Sequence, residues 1–469
     1  MESVNYFREY FTKKYKHAIN WKLKILQATY SYYPYNFGGT EVYVSGLAAF
    51  LQQQGHSVTV IAGMPATAFI EHPVFFEDDE LAAITYSHEG IPVIGLVLKD
   101  ETTTEIYKKF RVSWVASWQH VLSKAQEEPW DILHIHAHTS AIGEALVKAA
   151  KLHSPGLKVI ASYHVPVSCV KGTLLFGNSM MACSVKPAIA ICSACFISSK
   201  QNWALPFAKK VAALLPILQN DRLPTSLRLK FLAKEFLDSF ASFNEDVDAW
   251  HVFSEQVKSL MLLNGVAENK IVLLRHGVNP YFFEDKMSGN FERLTAGPTI
   301  FLYTSRFDKL KGFITMIKAW CSLPKSNIRQ LWMIGETQTM DQQIAEYIKS
   351  AMLRTDIKWL GPKDQIEVAE IMGQAHCTII PSEWVEIGPL VFHEAIASGS
   401  NVIASDMGGC RELYQYYNNC SQLFKAGNAD SLAEKILAFE YKSVSEKPLS
   451  STQNYEQVLA NYEMAYRLV

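Results

Sequence analysis

Five side chains have types and neighbours suited to chemistry on an anionic, hydroxyl-rich ligand: Glu386, Glu394, Arg306, Lys311 and His164. Glu386 and Glu394 are separated by seven residues, in Glu386-Ile387-Gly388-Pro389-Leu390-Val391-Phe392-His393-Glu394. The positions three and four residues from Glu394 are Leu390, Val391, Ala397 and Ser398, which offer no helical ion pair. A carboxylate on so apolar a helix needs hydrogen-bond donors, and sugar hydroxyls are suitable ones. Arg306 and Lys311 stand in Arg306-Phe307-Asp308-Lys309-Leu310-Lys311-Gly312. Two cations at a strand's carboxyl end can neutralise a diphosphate and the charge that grows on a departing nucleotide.

These groups need rigid elements to hold them. Cys377–Ile380 reads as a buried parallel strand. The helix after it is bounded by Pro389, which suits its first position, and by Gly399, which suits the left-handed residue just past its end. Its free amides, from Leu390 and Val391, would point over the strand's carboxyl end and form a seat for phosphate. Thr299–Thr304 reads as the strand that carries Arg306 and Lys311. Leu331–Glu336 and Ile357–Gly361 add two more, and Gly335 would leave room for a base or a ribose. Lys158–His164 is a strand ending in His164, in the crevice where parallel sheets bind ligands. Lys24–Tyr30 is a buried strand whose following loop carries Gly38 and Gly39, where backbone amides can approach an anion.

Composition bounds the rest. The chain of 469 residues exceeds one ordinary core, so two domains are expected. It is 49% apolar and 19% charged, hence globular. A net charge of −2 gives no electrostatic case for nucleic acid. The longest uncharged apolar stretch, Pro187–Ile197, is too short to span a bilayer. The amino terminus lacks a signal-peptide pattern, and eight cysteines fit reduced thiols, so a cytoplasmic location is expected. Residues 1–23 read as a basic, aromatic, amphipathic helix, which either lies on an anionic membrane surface or packs on the first domain.

The Glu386–Glu394 spacing resembles the E-x7-E signature of retaining GT-B glycosyltransferases, the family usually called family 4. Gly408-Gly409-Cys410-Arg411-Glu412 resembles that family's Gly-Gly-x-x-Glu turn, and Arg306 to Gly312 its R-x4-K-G motif, with Ser305 where a glycine is common. Asp131-Ile132-Leu133-His134-Ile135-His136 is similar to its D-x-x-H-x-H strand. The resemblance implies an α/β GT-B fold of two Rossmann-like, doubly wound parallel-sheet domains facing a cleft. The expected divisions are residues 24–282 on the acceptor side, 283–450 on the nucleotide-sugar side, and a crossover helix at 451–469 returning to the first domain. It further implies a hexosyl transfer, with retention, from a UDP- or GDP-sugar to a glycan or lipid-linked hydroxyl, with no cofactor or metal required. By the same resemblance Glu394 holds the ribose hydroxyls and Glu386 the sugar hydroxyls. Arg306 and Lys311 clamp the diphosphate with the Gly38-Gly39 loop, and His164 lies against the sugar. Gly388-Pro389 departs from the Phe-Gly common at that point, which bears on sugar identity. An epimerase on the same fold and a catalytically silent donor-binding scaffold are the alternative functions.

Four further residues attract attention. Cys169, Cys183, Cys192 and Cys195 cluster in one segment with one C-x-x-C pair. Buried free thiols are the plainer reading, and a tetrahedral zinc site the other. His134 and His136 share one face of their strand, with His138 at its carboxyl end, a trio that could suggest a metal; the family resemblance implies instead a buried, hydrogen-bonded histidine strand.

Overall fold

A computed structural model describes residues 22–36, 38–65, 67–79, 81–98, 114–125, 128–138, 142–218, 223–283, 297–337, 341–417 and 420–442, with 457–458, 460–461 and 465–466. The expected amphipathic helix of residues 1–23 lies outside these, apart from Lys22 and Leu23.

Two sheets organise the molecule. The second is wholly parallel, with strands β10 (Thr299–Thr304), β11 (Arg329–Ile334), β12 (Ile357–Gly361), β13 (Cys377–Ile380), β14 (Asn401–Ser405) and β15 (Ser421–Phe424) in the order β12-β11-β10-β13-β14-β15. That is the doubly wound order, whose direction of progression reverses between β10 and β13. Successive β10 side chains alternate between two cores. Phe301 and Tyr303 pack with Phe313 and Trp320 on one face, while Ile300 and Leu302 pack with Phe392 and Ile396 on the other. Both faces are covered, which is why the strand reads as a continuous apolar run.

The first sheet is built on β1 (Lys24–Thr29), β2 (Ser57–Gly63), β6 (Ile132–Ile135), β7 (Lys158–Ser162), β8 (Ala249–Val252) and β9 (Ile271–Leu273), all parallel. β1 lies between β2 and β6, so this sheet also reverses direction at its first strand. Sequence reading passed over three more strands, β3 (Val74–Glu77), β4 (Leu81–His88) and β5 (Ile91–Leu98), which give this sheet an antiparallel edge. Their signal was present in the Glu89-Gly90 pair. Both residues have positive φ, 50° and 80°, and they join the paired residues His88 and Ile91 in a two-residue hairpin.

The two sheets are joined by more than the linker. Val385, Ile387 and Met407, which follow β13 and β14, belong to the first sheet's hydrophobic core. Arg275 donates to Glu412 at 2.7 Å, and the Gln256 amide donates to the same carboxylate at 3.3 Å. The motif glutamate after the Gly-Gly turn therefore anchors one half of the fold to the other. Val458 and Tyr466, from the expected terminal helix, also pack in the first sheet's core, so the chain's end returns to its first half. The Gln27 amide donates to the Tyr466 hydroxyl at 3.0 Å.

Candidate active site

The groups singled out by spacing lie where the two topological reversals face each other. The Leu390–Ala397 helix starts one residue later than expected: Pro389 is its N-cap, with φ −69° and ψ 108°, and not its first helical residue. The chain bends at Ile387 and Gly388, and Pro389 is extended before the helix begins. No side chain caps this helix start. Its first amides therefore remain available to a ligand, as an anion seat requires. Gly399 has φ 73° and stands just past the helix, as expected.

Glycines set the close approaches here. A Cβ on Gly312 would lie 1.8 Å from the Pro381 carbonyl oxygen, and Gly312 has φ 69°. The absence of that Cβ lets the loop after β10 press against the end of β13 and carries Lys311 to Glu386. The Lys311 ammonium meets Glu386 Oε1 at 2.9 Å and lies 4.9 Å from the centre of the Trp384 ring. The Ser382 hydroxyl donates to the same carboxylate oxygen at 2.6 Å. The loop is held from behind as well. The Gly409 amide donates to the Glu386 carbonyl at 2.7 Å, and a Cβ on Gly408 or Gly409 would come within 2.9 Å of that oxygen. Gly335 is explained differently from the expectation. A Cβ there would stand 2.0 Å from the Ser305 carbonyl, so the space it leaves is occupied by the neighbouring loop.

The two glutamates differ electrostatically. The Glu386 side chain is only 9% exposed, and burial would raise its pKa. The Lys311 charge and the hydrogen bonds it receives overcome that and hold the carboxyl below its ordinary value. The Glu394 side chain forms no hydrogen bond or ion pair with any described residue, and desolvation pushes its carboxyl up to about 7. Arg306 is the exposed member, its side chain 57% accessible and 3.5 Å from Asp308.

The first sheet supplies the opposite wall. A Cβ on Gly39 would meet Leu390 Cδ1 at 3.9 Å, so the Gly38-Gly39 loop faces the start of the Leu390–Ala397 helix. Glu41, which would repel an anion, stays beside the loop: its Oε1 accepts from the Ser31 hydroxyl at 2.7 Å, and its Oε2 would lie 2.3 Å from a Cβ on Gly38, so the Gly38-Gly39 amides share their space with a carboxylate. A Cβ on Gly388 would press on Phe253 at 2.9 Å and on His276 at 3.1 Å. His276 stacks on Phe253 at 3.9 Å and on His164 at 5.9 Å, with Tyr43 against both histidines. His164 thus stands one ring away from the Glu386–Pro389 loop. Sequence reading missed His276, Phe253 and Tyr43, because only the fold brings them beside His164.

A hydrogen-bond chain sets the His164 tautomer. The Gln27 carbonyl oxygen accepts from His136 Nε2–H, which leaves His136 Nδ1 to accept from His164 Nε2–H at 3.3 Å. Burial, with His136 and His251 beside it, holds His164 well below the usual histidine pKa. It is a neutral imidazole whose Nδ1 carries the lone pair. His134 and His136, with ring centres 3.9 Å apart, form the expected buried histidine face.

Two facing doubly wound sheets, with cations and an uncapped helix start at their reversal points, define a GT-B glycosyltransferase. Comparison with known families agrees. The profile described as "Glycosyl transferases group 1" matches residues 289–456, and that described as "Glycosyltransferase Family 4" matches residues 37–198. Between them they take in more than half of the chain, which belongs to this family of GT-B glycosyltransferases. A glycogen synthase of Mycobacterium tuberculosis is 23% identical over 401 residues, covering 83% of this chain and 80% of that protein. Among solved structures, a sucrose-phosphate synthase of Thermosynechococcus elongatus has a TM-score of 0.60 at 17% identity, covering 95% of this chain and 99% of its own. HepE of Anabaena, solved with UDP and glucose, has a TM-score of 0.58 at 14% identity, covering 95% and 100%. Among the described residues no helix is long and apolar enough to cross a membrane.

Proposed function

We propose that this glycosyltransferase moves a hexosyl group, with retention, from a UDP- or GDP-sugar to a glycan or lipid-linked hydroxyl. The observation that carries this reading is the Lys311–Glu386 pair, 2.9 Å apart beside the uncapped helix start of Leu390 and Val391. In the apo chain the pair satisfies itself. A bound donor takes Lys311 and Arg306 for its diphosphate and leaves Glu386 to accept from sugar hydroxyls. Glu394, whose side chain has no hydrogen-bond or ion-pair partner among the described residues, accepts from the ribose diol. His164 offers Nδ1 to a sugar hydroxyl. As the bond from the anomeric carbon to the phosphate oxygen breaks, the electron pair stays on the diphosphate. The two cations and the helix amides stabilise the charge that grows there. The acceptor oxygen forms the new bond on the same face, and its proton passes to the departing phosphate. The donor rests mainly on residues 283–450 and the acceptor on 24–282.

The test is donor turnover. Incubation with UDP- and GDP-hexoses and an acceptor panel is expected to release nucleoside diphosphate only when a hydroxyl acceptor is present. Saturable donor binding with no release on any acceptor would overturn the transferase reading.

Glu394 adds a pH signature. Its carboxyl is neutral below about 7 in the free protein and then offers fewer lone pairs to the ribose. The kcat/KM for donor is expected to rise with pH through that point and level above it. Glu394→Gln is expected to flatten this limb and to cost roughly 10- to 100-fold in kcat/KM, the worth of a hydrogen bond to a charged group. Persistence of the limb in the variant would remove Glu394 from that role. Stability moves the other way. The unfolded chain releases this proton near pH 4.3, so Glu394 lowers folding stability as pH rises from there to about 7.

A further inference from the structure

Outside the cleft, one side-chain cluster has no part in sugar transfer. The chain leaving β7 turns at Cys169, pairs Leu175 with Ala182 in a short antiparallel bridge, passes Cys183, and enters the Ile189–Gln201 helix. Cys192 and Cys195 are three residues apart on the first turns of that helix and so share one face. The four cysteines, half of those in the chain, line a single cavity of about 40 Å³. Cys169, Cys183 and Cys192 are only partly buried, unlike Cys377 and Cys410, which are packed in the second sheet's core.

Burial raises the Cys183, Cys192 and Cys195 thiols above their ordinary pKa, so they are neutral in the free chain and a bound cation is needed to hold them as thiolates. The Gly177 amide donates to Cys195 Sγ at 3.1 Å, with Gly177 at φ 61° to present it. A backbone N–H spent on a neutral thiol gains little, whereas thiolate ligands gather such donors. Lys171 brings a positive charge near Cys183 and Cys195, and its ammonium donates to the Gly177 carbonyl at 2.6 Å, tying that loop to the cluster.

We propose that Cys169, Cys183, Cys192 and Cys195 form a structural zinc site that staples the segment following His164 to the Ile189–Gln201 helix. Four sulfurs from a hairpin and a helix start, with no fifth ligand among them, form the closed tetrahedral set zinc prefers. The candidate site is empty, and as the side chains stand no group of three or more His, Cys, Asp or Glu among the described residues is placed to hold a metal ion. Ligation turns the thiols into the cavity they share. Zn²⁺ forms four Zn–S bonds, four thiol protons pass to solvent, and nothing is oxidised or reduced. The resulting double negative charge is offset in part by Lys171.

The full chain, purified without a metal-chelating resin, is expected to carry about one zinc, released as four thiols react with a mercurial. Cobalt(II) exchanged into the unmodified protein is expected to show sulfur-to-metal charge transfer and the visible bands of a tetrahedral site. The paired substitutions Cys192→Ser and Cys195→Ser are expected to lower bound zinc at least tenfold. Cys321→Ser, at an exposed cysteine elsewhere, is expected to leave it unchanged. Metal-free protein with eight freely reacting thiols, a disulfide among the four, or iron with acid-labile sulfide would each overturn the assignment. The cobalt spectrum needs no variant, so a misfolded serine mutant does not decide the outcome.

Discussion

Lys311→Ala is expected to lower kcat on the order of 10²- to 10³-fold, with a smaller effect on donor KM. The ammonium acts on charge that develops as the nucleotide departs, so its loss falls mainly on the transition state, about 3–4 kcal/mol by analogy with other fixed donors. The same substitution strips Glu386 of its ion pair while leaving the carboxylate buried. Its stability cost is about 3 kcal/mol, the lower end of that measured for breaking a buried pair, because Lys311 retains 23% exposure. Two readouts separate these effects. Adding Glu386→Gln to Lys311→Ala removes the stranded charge and is expected to recover most of the lost Tm, whereas turnover stays low. A double variant that regains activity along with Tm would mean that Lys311 only supports the loop. The pH dependence of stability carries the same information with a sign. Glu386 is held below its usual pKa in the fold, so its contribution is present above about pH 4.3 and is lost as pH falls through the folded value. Lys311→Ala is expected to remove that acid-side dependence.

Gly312→Ala is expected to be among the most damaging single-methyl changes in the second half of the chain. The added carbon would sit 1.8 Å from the Pro381 carbonyl oxygen. The residue must also keep φ 69°, which costs an L-residue roughly 1–2 kcal/mol by itself. Backbone, not a flexible side chain, occupies the space, so the β10 loop must move away from the β13 end. A destabilisation on the order of 4 kcal/mol or more is expected, measured by chemical denaturation, with loss of turnover even in the molecules that remain folded. Gly361→Ala is the control. That glycine also has positive φ, 71°, but its Cβ would meet nothing within 4 Å, so only the conformational penalty applies. Equal costs at the two positions would mean that the approach to Pro381 is not what holds Lys311 in place.

The elements nearest the chemistry were legible because their signals are local. Cys377–Ile380 and Thr299–Thr304 are apolar runs with defined ends, and the structure begins and ends both strands at those residues. The helix carrying Glu394 differs by one residue at its start, where Pro389 caps rather than opens it. The antiparallel edge of β3, β4 and β5 was passed over, since its strands alternate weakly and its hairpin signal is a Glu-Gly pair rather than Asn-Gly. Gly335 was read as space for a ligand, and the structure gives that space to the Ser305 carbonyl. A glycine reveals that something comes close; it does not say what.

From the sequence alone came the two-sheet class, the order of its units and the identity of Glu386, Glu394, Arg306, Lys311 and His164 as the groups to watch. Spacing and periodicity are short-range properties, so they survive in one dimension. The tertiary structure alone decided that Lys311 meets Glu386 across 75 residues of chain and that the Glu394 side chain meets no hydrogen-bond or ion-pair partner among the described residues. It also decided that burial holds His164 neutral and that a relay through His136 to Gln27 sets its tautomer. Each is a matter of burial and long-range contact, and a carboxylate's charge depends on what the fold brings beside it, which no local pattern records.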